Sequence, residues 1–401
     1  MLWCLALISF PAAAQEEQPA QPAQETTQQP QLPPVHTSIT VVETIKAETP
    51  TNLTVATAED LSQTPGVNLD ERLGMVPGFT LFRRFTSTVS HPTAQGVSLR
   101  GIGPSGASRT LVRWDDVPVN DPFGGWVQWT RIDPAEIDRV EIVRGAVTSA
   151  FGDRAMGGAV SIFSRPLDRT RGRLDYEFGN RNTHQASGGF AWLGRRLAAS
   201  ADTRAYTTNG YFVVPESNRG TVDREAYVRF VAGDARLDVL GAVNRFFTKF
   251  DFLTEERGNG TVAQRNSTTL GTISGHFAHD KGADGISALV YHTREEFRNV
   301  FSSVAADDNS ETPTTYQTSP ANATGGAGMW NHSGAGWTSL VGGDFQRVEG
   351  FSYDTVLTSG FHRSAGGVQT QHGYFGQFDY QAGPARLSRK FSRIRPGWRM
   401  P

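Results

Sequence analysis

Two short strings hold the residues best placed to do chemistry: Val97-Ser98-Leu99-Arg100-Gly101 and Val140-Glu141-Ile142-Val143-Arg144-Gly145. Each is a run of strand-forming residues ending in an arginine and then a glycine, which can turn where a side chain cannot. The chemistry of an arginine there is charge pairing, because a buried guanidinium without a partner is strongly destabilising. Arg113 and Arg139 are read as strand residues facing water. Two loops offer binding chemistry: Phe82-Arg83-Arg84-Phe85 onward to Gln95, and Asp121 to Trp129, with Phe123, Trp126 and Trp129. Such arginines and aromatics suit aromatic or anionic ligands through charge and stacking. With equal weight, Trp126 and Trp129 pack a small core instead.

Other signals fall away. Gly101-Ile102-Gly103-Pro104-Ser105-Gly106 has GxGxxG spacing, but a strand (Ser108 to Trp114) follows where a phosphate-binding helix is required. His276 and His279 sit three apart on a strand, hence on opposite faces, so a shared metal is not expected. No Ser-His-Asp or paired-carboxylate arrangement stands out, and the expectation is no catalytic residue, no metal and no cofactor. The sole cysteine, Cys4, lies in the apolar N-terminus, so disulfides and thiol catalysis are excluded from the remainder. A net charge of −2 gives no bulk attraction to nucleic acid.

The elements that must position these residues follow from local signals. Thr110 to Asn120 reads as a strand, an Asp115-Asp116 turn and a second strand. Thr57 with Asp60, and Asn68 with Glu71, mark two short capped helices; Asp133-Pro134 with Glu136 marks a third. Small residues from Ser149 to Ala159 lead into an apolar strand, Val160 to Phe163. Together these make a compact α+β unit with arginines at its strand ends.

From Gly172 the texture changes. In Arg173-Leu174-Asp175-Tyr176-Glu177-Phe178 charged and apolar residues alternate, as in a strand with one side to lipid and the other to water. Similar runs recur at about 187–207, 222–232, 235–250, 267–279, 284–299, 323–332, 336–349 and 370–380. Ala232-Gly233-Asp234 reads as a turn and Ala305 to Pro320 as a long polar loop. The only long apolar run is N-terminal, so a membrane-spanning reading must be a β-barrel.

Residues 73–166 resemble the plug domain of TonB-dependent outer-membrane receptors. The matching residues are Val76-Pro77-Gly78, Arg100-Gly101, Asp115-Asp116-Val117-Pro118, Arg139-Val140-Glu141, Arg144-Gly145 and Gly157-Gly158. Asp116 stands where the family usually has a turn glycine, Ala146 where it has proline, and Phe151 where it has tyrosine. The resemblance implies a plug followed by antiparallel transmembrane β-barrel strands, here roughly ten against 22 in plugged transporters. It implies that Arg100 and Arg144 lock the plug to barrel glutamates, and that these partners lie in strands this chain lacks.

The remaining boundaries follow. Residues 1–14 read as a signal peptide, without the usual preceding basic residue, and 15–37 as a disordered linker. Residues 38–44 contain Ile39, Thr40, Val41 and Val42, the candidate TonB box that a periplasmic TonB domain captures by strand addition. The plug is set at 45–166 and the partial barrel at 172–383. The basic tail, 384–401, reads as foreign to the fold, and the chain as a truncated receptor. The implied function is energised uptake of a ferric siderophore-like chelate or cobalamin at the outer membrane, with TonB, the chelate and outer-membrane lipid as partners. The rivals are an outer-membrane adhesion protein that keeps the plug without transport, a periplasmic binding module, and, weakest, a secreted enzyme.

Overall fold

The computed structural model describes residues 52–83, 85–101, 108–145, 155–382 and 385–399. The expected signal peptide, linker and TonB box, Arg84, and most of the GxGxxG stretch lie outside the described residues.

The N-terminal domain is built from short elements. Strand β1 (Leu53–Thr57) runs into helix α1 (Ala58–Gln63), where the Thr57 side chain accepts from the Asp60 amide and Asp60 accepts from the Thr57 amide at 2.8 Å. That reciprocal cap is the one the Thr57–Asp60 spacing calls for. Helix α2 (Leu69–Leu73) starts after Asn68, whose side chain makes no cap bond and is used elsewhere. Asp133 does accept from the Ala135 amide, but the turn that follows, Pro134–Glu136, is a single 3₁₀ turn.

Strands β2 (Phe79–Leu81) and β3 (Val97–Leu99) pair as a small ladder. A five-stranded sheet holds β1, β4 (Thr110–Trp114), β5 (Val117–Pro118), β6 (Ile137–Arg144) and β7 (Gly158–Ser164) in the order β1-β6-β7-β4-β5. Only β4 and β7 run parallel. Leu69, Leu73, Val112, Trp129, Ile142 and Ile162 form its fully buried core. Gly158 is needed at its place: its φ is +133°, and a β-carbon would strike the Val143 carbonyl and the Leu99 side chain.

The rest of the chain is one antiparallel meander of eleven strands. These are β8 (Arg171–Gly179), β9 (Thr183–Leu193), β10 (Leu197–Phe212), β11 (Glu225–Leu240), β12 (Asn244–Gly258) and β13 (Arg265–Lys281). They continue with β14 (Asp284–Val304), β15 (Glu311–Gly334), β16 (Trp337–Val356), β17 (Phe361–Ala382) and β18 (Ala385–Arg399). Along β10 to β15 burial largely alternates, with an inverted chemistry. The buried face carries Arg204, Lys249, Asp251, Glu255, Arg257 and Thr272, while Phe246, Phe250, Ile273 and Val290 are 44–65% exposed on the other. A water-soluble sandwich buries a purely apolar face; this sheet buries a face on which these charges stand beside Tyr206, Phe230, Leu253 and Leu270. No helix among the described residues is long and apolar enough to cross a membrane.

Four boundaries differ from the sequence reading. Gly233 does not turn the chain: β11 runs through it, and the missing side chain makes room for the Phe252 ring across the ladder. The long loop shrinks to residues 305–310, closed by the Ala305 amide on the Ser310 carbonyl at 3.0 Å, because the polar Glu311–Pro320 stretch pairs with β14. The 187–207 run divides at 194–196. The basic tail is not foreign to the sheet: β18 pairs with β17 from Ala382↔Ala385 to Val368↔Arg399. Main-chain pairing needs no side-chain alternation, so a charge run does not exclude it.

Candidate functional site

The functional geometry lies where the N-terminal domain meets the polar face of the long sheet. It begins at the β4–β5 turn, where Asp115 and Asp116 both have positive φ (47° and 67°), the primed turn that a tight hairpin requires. That turn leaves the Asp115 carboxylate buried against Ser164 at the end of β7. It accepts the Ser164 amide at 2.9 Å and the Ser164 hydroxyl at 2.6 Å. From β12, Lys249 Nζ donates to the same carboxylate at 2.8 Å and to Ser164 Oγ at 2.9 Å, and lies 3.2 Å from the Trp114 ring centroid. Burial alone would push the Asp115 carboxyl up. The Lys249 ammonium and Arg236, with the hydrogen bonds from Lys249 and Ser164, instead hold it well below the usual carboxylate range. Its neighbour Asp116 goes the other way: burial pushes it up to about 6, against the opposing pull of Arg113 at 3.1 Å.

A second cluster forms around the 3₁₀ turn Trp129–Arg131. Thr130 Oγ1 donates to Glu255 at 2.6 Å, and Arg131 pairs with Asp251 and donates to Thr272 Oγ1 at 2.5 Å. Glu255 is shared with Arg257 of the same strand at 2.7 Å, and Arg257 reaches back to the carbonyls of Ser87 and Ser90. Burial also pushes the Asp121 carboxyl up, with hydrogen bonds from Glu295, Gly124 and Phe123 opposing it.

Two more contacts come from the sheet. Arg204 donates to Asn68 Oδ1 at 2.9 Å and the Val67 carbonyl at 2.8 Å, which is where the expected cap residue is used. Arg173 pairs with Asp133 at 2.8 Å and Glu136 at 3.2 Å. The polar pairing between the small domain and the sheet is therefore mostly of the opposite polarity to the one expected. The sheet supplies Arg173, Arg204, Lys249 and Arg257, and the small domain supplies Arg131.

Arg100 and Arg144 lie elsewhere. Arg100 donates to Asn52 Oδ1 at 2.5 Å and Arg144 to Thr54 Oγ1, so both grip the start of β1 rather than reach a sheet carboxylate among the described residues. They are therefore not left without partners. The Arg100-Gly101 turn (φ 57° and 73°) aims the first arginine there. Arg113 does not face water. It is buried, donates to Ser161 at 3.0 Å, and pairs with Asp116. Arg139 is half-buried between Asp138 and Glu141.

Among the ligand-contact candidates, Arg83 is buried in an ion pair with Asp70. Trp129 is core, edge-on to Phe79 at 6.2 Å. Trp126 is 8% exposed and edge-on to Phe297 of β14 at 5.6 Å, so it joins the seam. Phe123, 42% exposed, is the one of these four that stands open. Nothing in the sequence paired Asp115 with Lys249, 134 residues away. A lysine on the charged face of an alternating strand was the only available signal.

A family model described as TonB-dependent Receptor Plug Domain matches residues 45–159. The ferric enterobactin receptor PirA of Pseudomonas aeruginosa is 35% identical over 134 residues, 30% of this chain and 18% of that protein. The vitamin B12 transporter BtuB of Vibrio cholerae is 25% identical over 222 residues, 53% of this chain and 33% of that one. The solved copper transporter OprC superposes with a TM-score of 0.69 at 14% identity, over 86% of this chain and 55% of that one, a likeness of fold alone. The chain thus spans a little over half of that solved relative and its matches cover a fifth to a third of the curated ones.

Proposed function

We propose, from the premise that residues 45–159 are the plug of a TonB-dependent receptor with barrel strands after it, that this chain serves energised uptake of a scarce chelate across an outer membrane. The single observation that carries the reading is the inverted sheet, apolar outward and polar inward, with its polar face paired to the plug. Such a sheet has a use for lipid outside and for a polar, removable plug inside. The substrate class is a ferric siderophore-like chelate or cobalamin. The work is mechanical, with no bond made or broken, so no catalytic residue is assigned.

In this reading TonB takes Ile39, Thr40, Val41 and Val42 as an added strand. Force on that segment enters the plug at Asn52 and β1. Among the described residues strand β1 is an edge strand held by one five-residue ladder, Leu53↔Val143 to Thr57↔Arg139, with Arg144 and Arg100 gripping its leading end. Pulling opens that ladder from Leu53 inward. The seam pairs then separate into entering water, and a polar path opens along the sheet. Phe123 and its loop are the proposed ligand contact, and the outer membrane the site of action.

The test is deletion of Ser38 to Glu43 in the gene that encodes this chain, in cells that depend on the receptor. Lost uptake with retained ligand binding is the expected result. Unchanged uptake overturns the transport reading in favour of an adhesion or binding role.

A further inference from the structure

The loop that carries Phe123 is folded around one carboxylate. Asp121 Oδ1 accepts the Phe123 amide at 2.8 Å and the Gly124 amide beside it. The Asp121 amide donates to the Trp126 carbonyl at 2.7 Å, and its carbonyl accepts the Gly125 amide at 3.0 Å. Gly124 lies against the Trp126 ring, where a β-carbon would collide with the indole. The shape of the loop therefore depends on Asp121 remaining a good acceptor. Two contacts tie the loop to β14. The Trp126 ring meets Phe297 edge-on at 5.6 Å. Two residues earlier on the same face of the strand, the Glu295 side chain hydrogen-bonds to the Asp121 carboxyl.

Both carboxyls are buried, with Asp121 5% and Glu295 3% exposed. Two ionised carboxylates only accept, so a hydrogen bond between them must contain one proton. The bonding pattern says where it sits. Asp121 accepts two amides, which favours its ionised form. Glu295 has the Gln128 side chain beside it and an Oε1 with no partner, which a neutral acid tolerates far better than a buried carboxylate.

The surroundings offer little other compensation. Arg131 is the cation that faces Glu295 from the plug, and it is already paired with Asp251 and bonded to Thr272. The register partners of Glu295 are Leu270 on β13 and Ala321 on β15, neither of them titratable. His91, edge-on to Phe297 at 6.0 Å, is held below its ordinary range by burial and is neutral. Glu255 of β12 is engaged by Thr130 and Arg257. A divalent ion between the carboxyls would need more ligands. Among the described residues no group of three or more acidic, histidine or cysteine side chains is arranged to hold one.

We propose that Asp121 and Glu295 share one proton across the seam, and that this proton clamps the Phe123 loop against β14. Its role in ligand capture rests on the reading of that loop given above. The sign follows from where the proton is bound. Once the loop leaves β14, both carboxyls regain water and ionise at neutral pH, so opening releases one proton to solvent. The clamp is full in acid and is lost as pH rises through the value at which the closed pair gives its proton up. Beyond it, two like charges face each other in a buried site and drive the loop away. Phe123 is therefore presented in a fixed position in acid and loosened in base.

The experiment puts a nitroxide on Phe123→Cys, with Cys4→Ser, in the full chain folded in detergent micelles, and follows its mobile fraction against pH. With the native pair that fraction should rise ~10-fold or more between about pH 5 and about pH 9. Glu295→Gln keeps a donor for Asp121 and cannot ionise, so its change should stay under ~2-fold. Asp121→Asn, which accepts the same amides and donates to Glu295, should be equally flat and decides the matter if the first variant misfolds. The pH-difference infrared spectrum should show one protonated carboxyl that Glu295→Gln removes. A label immobile at every pH, mobile at every pH, or titrating alike in the native pair and both variants overturns the proposal. Loosening by a chelator at neutral pH, reversed by calcium, replaces the proton with a metal and overturns it too. No TonB and no ligand are present, so the deletion of Ser38 to Glu43 tests the transport reading separately: unchanged uptake beside an intact pH profile overturns transport alone.

Discussion

Removing the ammonium of Lys249 should cost the fold more than any surface charge can. Asp115 and Lys249 are 9% and 5% exposed at their side chains, and their 2.8 Å bond joins the plug to β12. In Lys249→Met the methionine keeps the contact with Trp114, so the lost quantity is the charge and its hydrogen bonds. Asp115 then retains only the amide and hydroxyl of Ser164. Breaking a buried pair on one side costs ~3–5 kcal/mol, because the partner remains charged and desolvated. Deleting both charges, in Asp115→Asn with Lys249→Met, should return ~2 kcal/mol or more of that loss. The pH dependence has a definite sign. In the wild type the Asp115 carboxyl is held low, so its contribution is present above the unfolded value near 3.8 and disappears as pH falls below it. Without Lys249 burial is opposed only by Arg236 and the Ser164 hydrogen bonds, the carboxyl moves up from its wild-type position, and the deficit of the variant should shrink on acidification. Urea unfolding of the chain folded in detergent micelles, followed through the tryptophans, reads all four proteins of the cycle. Additive single effects, or a Lys249→Met deficit under ~1 kcal/mol, would refute the claim that this pair locks the seam.

Asp116 gives the opposite pH signature. Its folded carboxyl is raised to about 6, so stability due to protonation is full below about 3.8 and lost as pH rises through 6. Asp116→Asn, which also tolerates the positive φ of the turn, should be more stable than wild type by ~2–3 kcal/mol at pH 8, with the gain vanishing near pH 3; a pH-independent difference would count against it. Gly158→Ala should destabilise by ~2 kcal/mol or more through its φ and the Val143 carbonyl, and thermal melts of the micellar protein measure it. Arg144→Ala should speed hydrogen exchange of the β1 amides without changing that of β7, since its side chain meets Thr54 in β1. Equal acceleration in both strands would mean a general loosening of the plug.

What the sequence made legible was local. The Thr57–Asp60 cap, the Asp115-Asp116 hairpin and the strand at Arg173 to Phe178 each depend on neighbours a few residues apart and each is where it is expected, although both faces of that strand, at the sheet's edge, stand exposed from Leu174 to Phe178. The outcome for Arg100 and Arg144 shows where that method stops. Their type and strand-end position said that they must pair, but whether the partner is Asn52 and Thr54 or a sheet carboxylate depends on tertiary placement. Trp126 and Trp129 were undecided for the same reason, since an indole has an apolar body that suits either a core or a ligand. Residues 385–399 pair as a strand despite their charge run, because a strand at the edge of a meander needs only main-chain partners, and charge patterning is silent about those.

The inverted polarity of the seam has a physical consequence for the plug displacement that the proposed uptake requires. Where the plug meets the sheet through apolar side chains, as Val117 does with Tyr291 and Val348 and Trp126 with Phe297, each square ångström parted costs ~25 cal/mol in exposed surface. A seam of ion pairs behaves otherwise. Pairing and desolvation nearly cancel, so Lys249–Asp115, Arg131–Asp251 and Arg173–Asp133 specify register while adding little net stability. When water follows the separating surfaces, each charge recovers its hydration and the energy lost in breaking the pair is largely returned. Single mutants at these ion pairs should therefore be severe, since one charge is left buried alone, whereas parting the charged portion of both surfaces together should be cheap. The apolar core of the plug, with Trp129, Ile142 and Ile162 fully buried, has no such compensation. Force applied at β1 should therefore open the edge ladder and the seam well before it disrupts β6 and β7, so the plug yields along its polar boundary while its centre stays folded.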